Sequence, residues 1–479
     1  MVRQLVRLVS TLLIGMLLSP MAVGTVPTTF DAQAFDATVT RLHQESGVPG
    51  LAVVVLDNGT PLFTKGYGIA GPDKRPVTVD TVFQIGSITK AFVALVIQQM
   101  AAEGKLNLDA PVVTYLPEFH TADRARSNRI TVDHLVTHRS GLTTLAGNGG
   151  VTADRHVSGP EAVVRGLADS RLFADPGDVF QYSNANYVVL SHLIETLDQR
   201  SFEEALKARI FEPLNMQHSY VLAAPADDIH LASPYRLWFG WPMPWAPSPK
   251  NPPDRTMIGA GAVLASVVDL AVFVDAVRSR DPRVVPASAD RLFTMKPFWE
   301  NWGYGYGWFS QSHDSGPILE HSGLTPGFFT LATLLPDSGR TVVVLTNQSG
   351  LAQGDLPRAV VHAGLNWAPV PVQPPVMARL AIWSAVMAPL GLLVLLIKTL
   401  YLLRTPSYTA AIGRRLFNGM LGVMLLIVSI TGYVIYPRLM DLSYGASLAY
   451  FPDLTLTLLA GFLMALMCGA ARLVLSVRG

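Results

Sequence analysis

Apolar and polar positions divide this chain into a mixed middle and two apolar ends. In the middle, Leu51 to Leu56 and Pro61 to Ala70 are β-rich runs joined by Asp57-Asn58-Gly59, a strong two-strand hairpin signal. A second hairpin is expected where Phe328 to Leu335 and Thr341 to Thr346 flank Pro336-Asp337-Ser338-Gly339. Between them the period changes to that of helices, at Ala91 to Glu103, Tyr187 to Asp198, Phe202 to Ile210 and Val267 to Val277. Strands at both ends with helices between predict an α+β fold, an antiparallel sheet flanked by helices with an inserted helical region. The Trp- and Pro-rich stretch Pro234 to Pro253 fits no regular element. It reads as a lid, an apolar tip at a bilayer or a buried structural loop.

The ends follow a different pattern. Arg3 and Arg7 precede the apolar run Leu8 to Leu18 and then Ala22-Val23-Gly24, the layout of a signal peptide over residues 1–24 cleaved after Gly24. A large globular unit, 25–368, and a Pro-rich linker, 369–379, precede a membrane domain over 380–479. In that domain Leu380 to Leu403, Leu416 to Tyr436 and Leu454 to Leu475 are each close to the ~20 residues that cross a bilayer. Arg404, Arg414 and Arg415 lie in the first loop and Arg478 at the end, while Arg438 is offset by Asp441 and Asp453 in the second. The positive-inside rule then puts the first loop and the C-terminus in the cytoplasm and residues 25–375 outside it, periplasmic or extracellular. Lys398 reads as the only charge well within a span, close enough to its end to snorkel, so the expected role of the spans is anchoring.

Composition narrows the function classes. Half of the 479 residues are hydrophobic, 15% are charged and the net charge is +1, which supplies no basic field for nucleic acid. The single cysteine, Cys468, excludes an intrachain disulfide and a Cys-rich metal site. His134 and His138 are four apart, but no glutamate sits between them in the zincin manner and no third ligand is evident, so they are read as structural hydrogen-bonding residues. No metal or cofactor is expected; the expected partners are a small-molecule or peptide substrate and the lipid bilayer.

The chemistry rests on three short motifs. Ser87 and Lys90, in Gly86-Ser87-Ile88-Thr89-Lys90, are three apart on one helical face, so the amine can reach the hydroxyl. A desolvated lysine can lose its proton and act as the base that a serine nucleophile needs. Ser-x-x-Lys also falls by chance on solvated helix faces, so two further elements carry weight. Tyr182-Ser183-Asn184 offers a proton relay and an amide for lysine or substrate. His321-Ser322-Gly323 offers a strand edge, with Gly323 leaving room for substrate and the amide of Leu324 as an oxyanion donor.

In this order and spacing the motifs resemble the serine β-lactamase and penicillin-binding protein superfamily, nearest its class C type. Ile130 to Leu142 and Ile210 to Leu214 look like further signatures, so the resemblance spans about residues 35–365. It implies an acyl-enzyme on Ser87 with Lys90 and Tyr182 sharing proton delivery, and Asn184, His321, Ser322, Gly323 and Leu324 binding substrate. His321 replaces the lysine usual in β-lactamases, which ranks β-lactam hydrolysis below peptidase or esterase activity. With its leader and three spans the chain also looks like the colibactin-maturing type of periplasmic peptidase, which implies cleavage next to a D-amino acid. A D-Ala-D-Ala carboxypeptidase, a β-lactamase, an esterase and a non-enzymatic penicillin sensor are the alternatives.

Overall fold

The computed structural model describes residues 29–147, 159–222, 230–245, 255–312, 316–350, 354–405, 412–440, 444, 447–448 and 451–477. The leader segment 1–24 lies outside them. Among the described residues, contacts separate a unit over 29–374, apart from Leu237–Trp241, from one holding Leu237–Trp241 and the helices beyond Pro375.

The larger unit is built on an eight-stranded antiparallel sheet. In chain order its strands are β1 (Gly50–Asp57), β2 (Thr60–Gly68), β3 (Lys296–Trp299), β4 (Trp302–Gly305), β5 (Trp308–Gln311), β6 (Ile318–Thr325), β7 (Phe328–Leu334) and β8 (Arg340–Thr346), in spatial order β2-β1-β8-β7-β6-β5-β4-β3. Both expected hairpins form. Asn58 and Gly59 take φ of 47° and 79°, the left-handed pair that closes a two-residue turn with the twist of its strands. β1 and β8 pair in register from Leu51 with Thr346 to Asp57 with Arg340. Because the strand period is two, successive residues of β1 enter opposite cores. Ala52, Val54 and Leu56 face the helical region, whereas Leu51, Val53 and Val55 face the helices α1 (Ala32–Ser46) and α5 (Asp355–Gly364). The sheet is therefore buried on both faces, which is why its central strands read as continuous apolar runs.

The inserted region carries α2 (Thr89–Ala102), α3 (Asn184–Asp198) and α4 (Val267–Ser279). α2 is apolar on nearly all sides and buried from Thr89 to Met100, which makes it a rigid mount at the centre of the unit. Two expectations change. Phe202 to Ile210 is α-helical only to Leu206 and continues as a π-helical turn, Lys207–Phe211. Tyr235–Trp238 and Trp241–Pro244 are short paired strands around Phe239 and Gly240, both at positive φ, so part of the Trp/Pro-rich stretch is a hairpin. Its prolines are tolerated because Trp241–Pro244 is an edge strand.

In the smaller unit, α6 (Pro375–Arg404), α7 (Ile412–Met440) and α8 (Pro452–Val477) are each long and apolar enough to cross a membrane. α7 and α8 approach closely at Gly422 and Gly469, where an added Cβ would meet the other glycine's carbonyl oxygen at 2.9 Å, as small residues permit at helix contacts in lipid. Arg472 corrects the reading of Lys398 as the only internal charge. It is buried within α8 and donates to Asn418 Oδ1 at 2.6 Å, which satisfies part of its guanidinium inside the bundle.

Candidate active site

The site is assembled where α2 begins beneath β6. Gly86–Ile88 forms a 3₁₀ turn leading into α2, which places Ser87 half-exposed at the helix start and Lys90 wholly buried one turn on. Lys90 Nζ lies 2.9 Å from Ser87 Oγ and donates to the carbonyl of Ala260 at 2.8 Å. It also sits 4.9 Å from the ring centre of Tyr182 and 5.7 Å from that of Tyr187. No carboxylate is among these partners. Burial therefore pushes the lysine well below its ordinary value, because a hydroxyl, a carbonyl and two rings do not repay the loss of water around a cation.

Two glycines bring β6 against the nucleophile turn. Gly86 has φ of 53°, and an added Cβ would lie 2.7 Å from the amide nitrogen of Leu324. That amide and the turn carrying Ser87 are thus in close contact, the arrangement an oxyanion-binding pair requires. At Gly323 an added Cβ would come within 1.8 Å of the carbonyl oxygen of Ile85, so packing of the turn also requires a glycine there. Thr330, on β7, fixes the same junction by donating to that carbonyl at 2.9 Å. Replacing Gly86 with alanine should lower kcat/KM by about tenfold, as misplacing reacting groups does, and a steady-state assay beside a thermal melt would check it.

His321, on β6, is 2% exposed. Its Nδ1 donates to the carbonyl of Ser322 at 2.7 Å, leaving Nε2 as a buried acceptor with no partner among the described residues. Burial, and secondarily nearby Lys90, push its pKa down to about 3. The imidazole is neutral at any working pH and supplies no cation for a substrate carboxylate. Ser322 and Leu324, alternating with His321 and Gly323, are half-exposed along the strand.

Tyr182 lies in the loop before α3, and Asn184 is the first residue of that helix. The loop is held by Thr144, whose hydroxyl donates to the carbonyl of Tyr182 at 2.6 Å, by Thr143, whose carbonyl accepts from Ser183 Oγ at 2.8 Å, and by His138, a role that no sequence pattern reveals. The carbonyl of His138 accepts from the amide of Gln181 at 2.8 Å. Its Nδ1 accepts from the amide of Ser183 at 3.2 Å and from the side chain of Asn186 at 2.8 Å. Its ring packs 4.4 Å from that of Tyr182. One residue therefore brackets Tyr182 on both sides. Accepting at Nδ1 fixes the proton on Nε2, and burial holds the ring neutral. His134 acts elsewhere, where its Nδ1 accepts from the amide of Thr131 in the capping box of a short helix, Val132–Val136. Among the described residues no three His, Cys, Asp or Glu side chains are placed to hold a metal ion.

The profile of the Beta-lactamase family matches residues 35–365. The unguisins hydrolase ungD' of Aspergillus campestris is 31% identical over 332 residues, covering 66% of this chain and 61% of that protein. Penicillin-binding protein 4 of Amycolatopsis lactamdurans is 29% identical over 66% of this chain and 84% of its own length. Among solved structures, the octameric penicillin-binding protein homologue from Pyrococcus abyssi superposes with a TM-score of 0.60 at 28% identity, over 74% of this chain and 82% of that one.

Proposed function

Because the chain belongs to the Beta-lactamase family over residues 35–365, we propose that it is a serine hydrolase that cleaves an amide or ester through an acyl-enzyme on Ser87. The observation that carries this reading is a buried Lys90 amine 2.9 Å from Ser87 Oγ with no carboxylate among its hydrogen-bond partners in the described residues. A neutral amine takes the hydroxyl proton as Ser87 attacks the carbonyl. The amides of Ser87 and Leu324 receive the developing oxyanion. Lys90 and Tyr182 then deliver the proton to the leaving group as a coupled pair, and water releases the acyl group by the same route. Asn184, Ser322 and Gly323 line the path of the substrate.

Neutral His321 favours substrates without a free carboxylate at that position over carboxypeptidase and β-lactam substrates. Export by the leader and anchoring by α6, α7 and α8, with the hydrolase outside the cytoplasm, complete the proposal; the length and apolarity of the helices support the anchor. The architecture resembles the colibactin-maturing peptidases, so the proposed bond is an amide next to a D-amino acid. Purified full-length protein should release the amine from an N-acyl-D-asparagine amide at least about tenfold faster than from the L isomer, and Ser87→Ala should release none. Equal rates would remove the D-specific reading, and full activity in Ser87→Ala would remove the nucleophile.

A further inference from the structure

Ser87, Lys90 and Tyr182 account for bond cleavage but leave a run of rings beside them unexplained. Tyr182 is stacked on Phe309, with ring centres 6.2 Å apart and planes 15° apart. Phe309 meets Phe298 and Phe180 edge-on, at 6.2 and 6.4 Å, and those two are stacked on each other at 4.3 Å. His321 is 5.3 Å from Phe309, ring centre to ring centre. Phe309 is buried, but Phe180 and Phe298 are half-exposed, so the rings lead from the reacting groups out toward solvent. A stacked, half-exposed pair thus stands at the end of a wall that begins at the proton relay.

The direction of the wall assigns its ligand. Tyr182 serves the leaving atom, so groups beyond Tyr182 meet whatever that atom carries. Rings offer dispersion contacts to an apolar or aromatic group and nothing to a carboxylate. His321, buried beside Phe309, adds no charge. We propose that Phe180 and Phe298, backed by buried Phe309 and His321, form a subsite for a large, uncharged apolar group on the leaving side of the scissile bond. This rests on the acyl-transfer reading above and names the substrate class of that site: esters or amides with aromatic or long apolar leaving groups. For an aryl ester, Ser87 Oγ bonds to the carbonyl carbon, the bond from that carbon to the aryl oxygen breaks, and the serine proton ends on the departing phenol. Water then cleaves the acyl-enzyme to the acid and free Ser87.

A matched pair of substrates tests the subsite: 4-tolyl acetate and 4-acetoxybenzoate, which share an acyl group and a ring. The carboxylate ester has the intrinsically better leaving group, so a preference for the tolyl ester reports the protein. Wild type should prefer the tolyl ester in kcat/KM by about tenfold or more. Phe298→Ala should bring the ratio within about threefold of unity, Phe298→Leu should retain most of it, and Phe298→Lys should turn it toward the carboxylate. Equal turnover of both esters by wild type, or an equal fall for both in Phe298→Ala, would overturn the subsite while leaving the nucleophile intact. Undiminished hydrolysis of both by Ser87→Ala would instead remove the acyl-transfer reading on which the subsite rests.

Discussion

Lys90→Met is expected to lower kcat/KM by about a thousandfold or more, the scale on which loss of a positioned base is felt, while the protein remains folded. Methionine fills a similar volume, so α2 and the core around it stay packed. The same substitution should change how stability depends on pH. An unfolded lysine binds a proton up to about pH 10.4, whereas buried Lys90 holds its proton only at lower pH. Between the folded and the unfolded values the unfolded chain binds more protons, so wild-type stability rises with pH across that window. Lys90→Met removes this contribution. Its melting temperature relative to wild type should therefore be highest at the acidic end and fall as the pH approaches 10. Activity follows the same group: wild-type kcat/KM should climb with pH as Lys90 loses its proton and then level off. His321, pushed down to about 3, should not shape that limb. A flat difference in melting temperature from pH 6 to 10 would mean that Lys90 is not held neutral by burial.

The second large effect is expected at His138, a positioning residue. His138→Ala removes the acceptor that holds the amide of Ser183 and the ring that supports Tyr182. It should lower kcat by about a hundredfold, the loss that an error of about 1 Å in geometry can cause, with little change in KM. The conservative rescue is His138→Asn. Asparagine tolerates the φ of 54° at this position, and its side-chain oxygen can accept where Nδ1 does. His138→Asn should recover kcat to within about tenfold of wild type. A purely structural role would give parallel losses in melting temperature and activity for both variants, with no separation of kcat from KM. Steady-state kinetics beside thermal melts distinguishes the two.

What the sequence makes legible here is local. The two main hairpins follow from turn residues, and the three apolar helices from length and hydropathy. Ser87 and Lys90 become a candidate pair because three residues along a helix return a side chain to the same face. Tyr182 and His321 join them through the resemblance, since no local period links residues so far apart. The contacts that tune the site are less visible. Ala260 meets Lys90 across 170 positions through a backbone carbonyl, which any residue type provides. His138 reads from the sequence as a hydrogen-bonding side chain, but its hold on Tyr182 depends on a loop some 45 positions away. β3, β4 and β5 are four residues each, with Lys296-Pro297, Gly303 and Gly305 breaking any strand pattern, so the aromatic wall they carry is not apparent before folding. Gly323 belongs to the junction its motif suggests, but the close packing against Ile85 that also requires a glycine there is not visible in the motif.

That Ser87 carries the acyl group can be tested directly: full-length protein is mixed with 4-tolyl acetate, quenched in acid during turnover, digested and mapped by mass spectrometry. One acetyl group is expected, on the peptide containing Ser87 and assigned to that hydroxyl, and none in Ser87→Ala. Acetylation of a different residue during turnover, or turnover in Ser87→Ala at the wild-type rate, would contradict it.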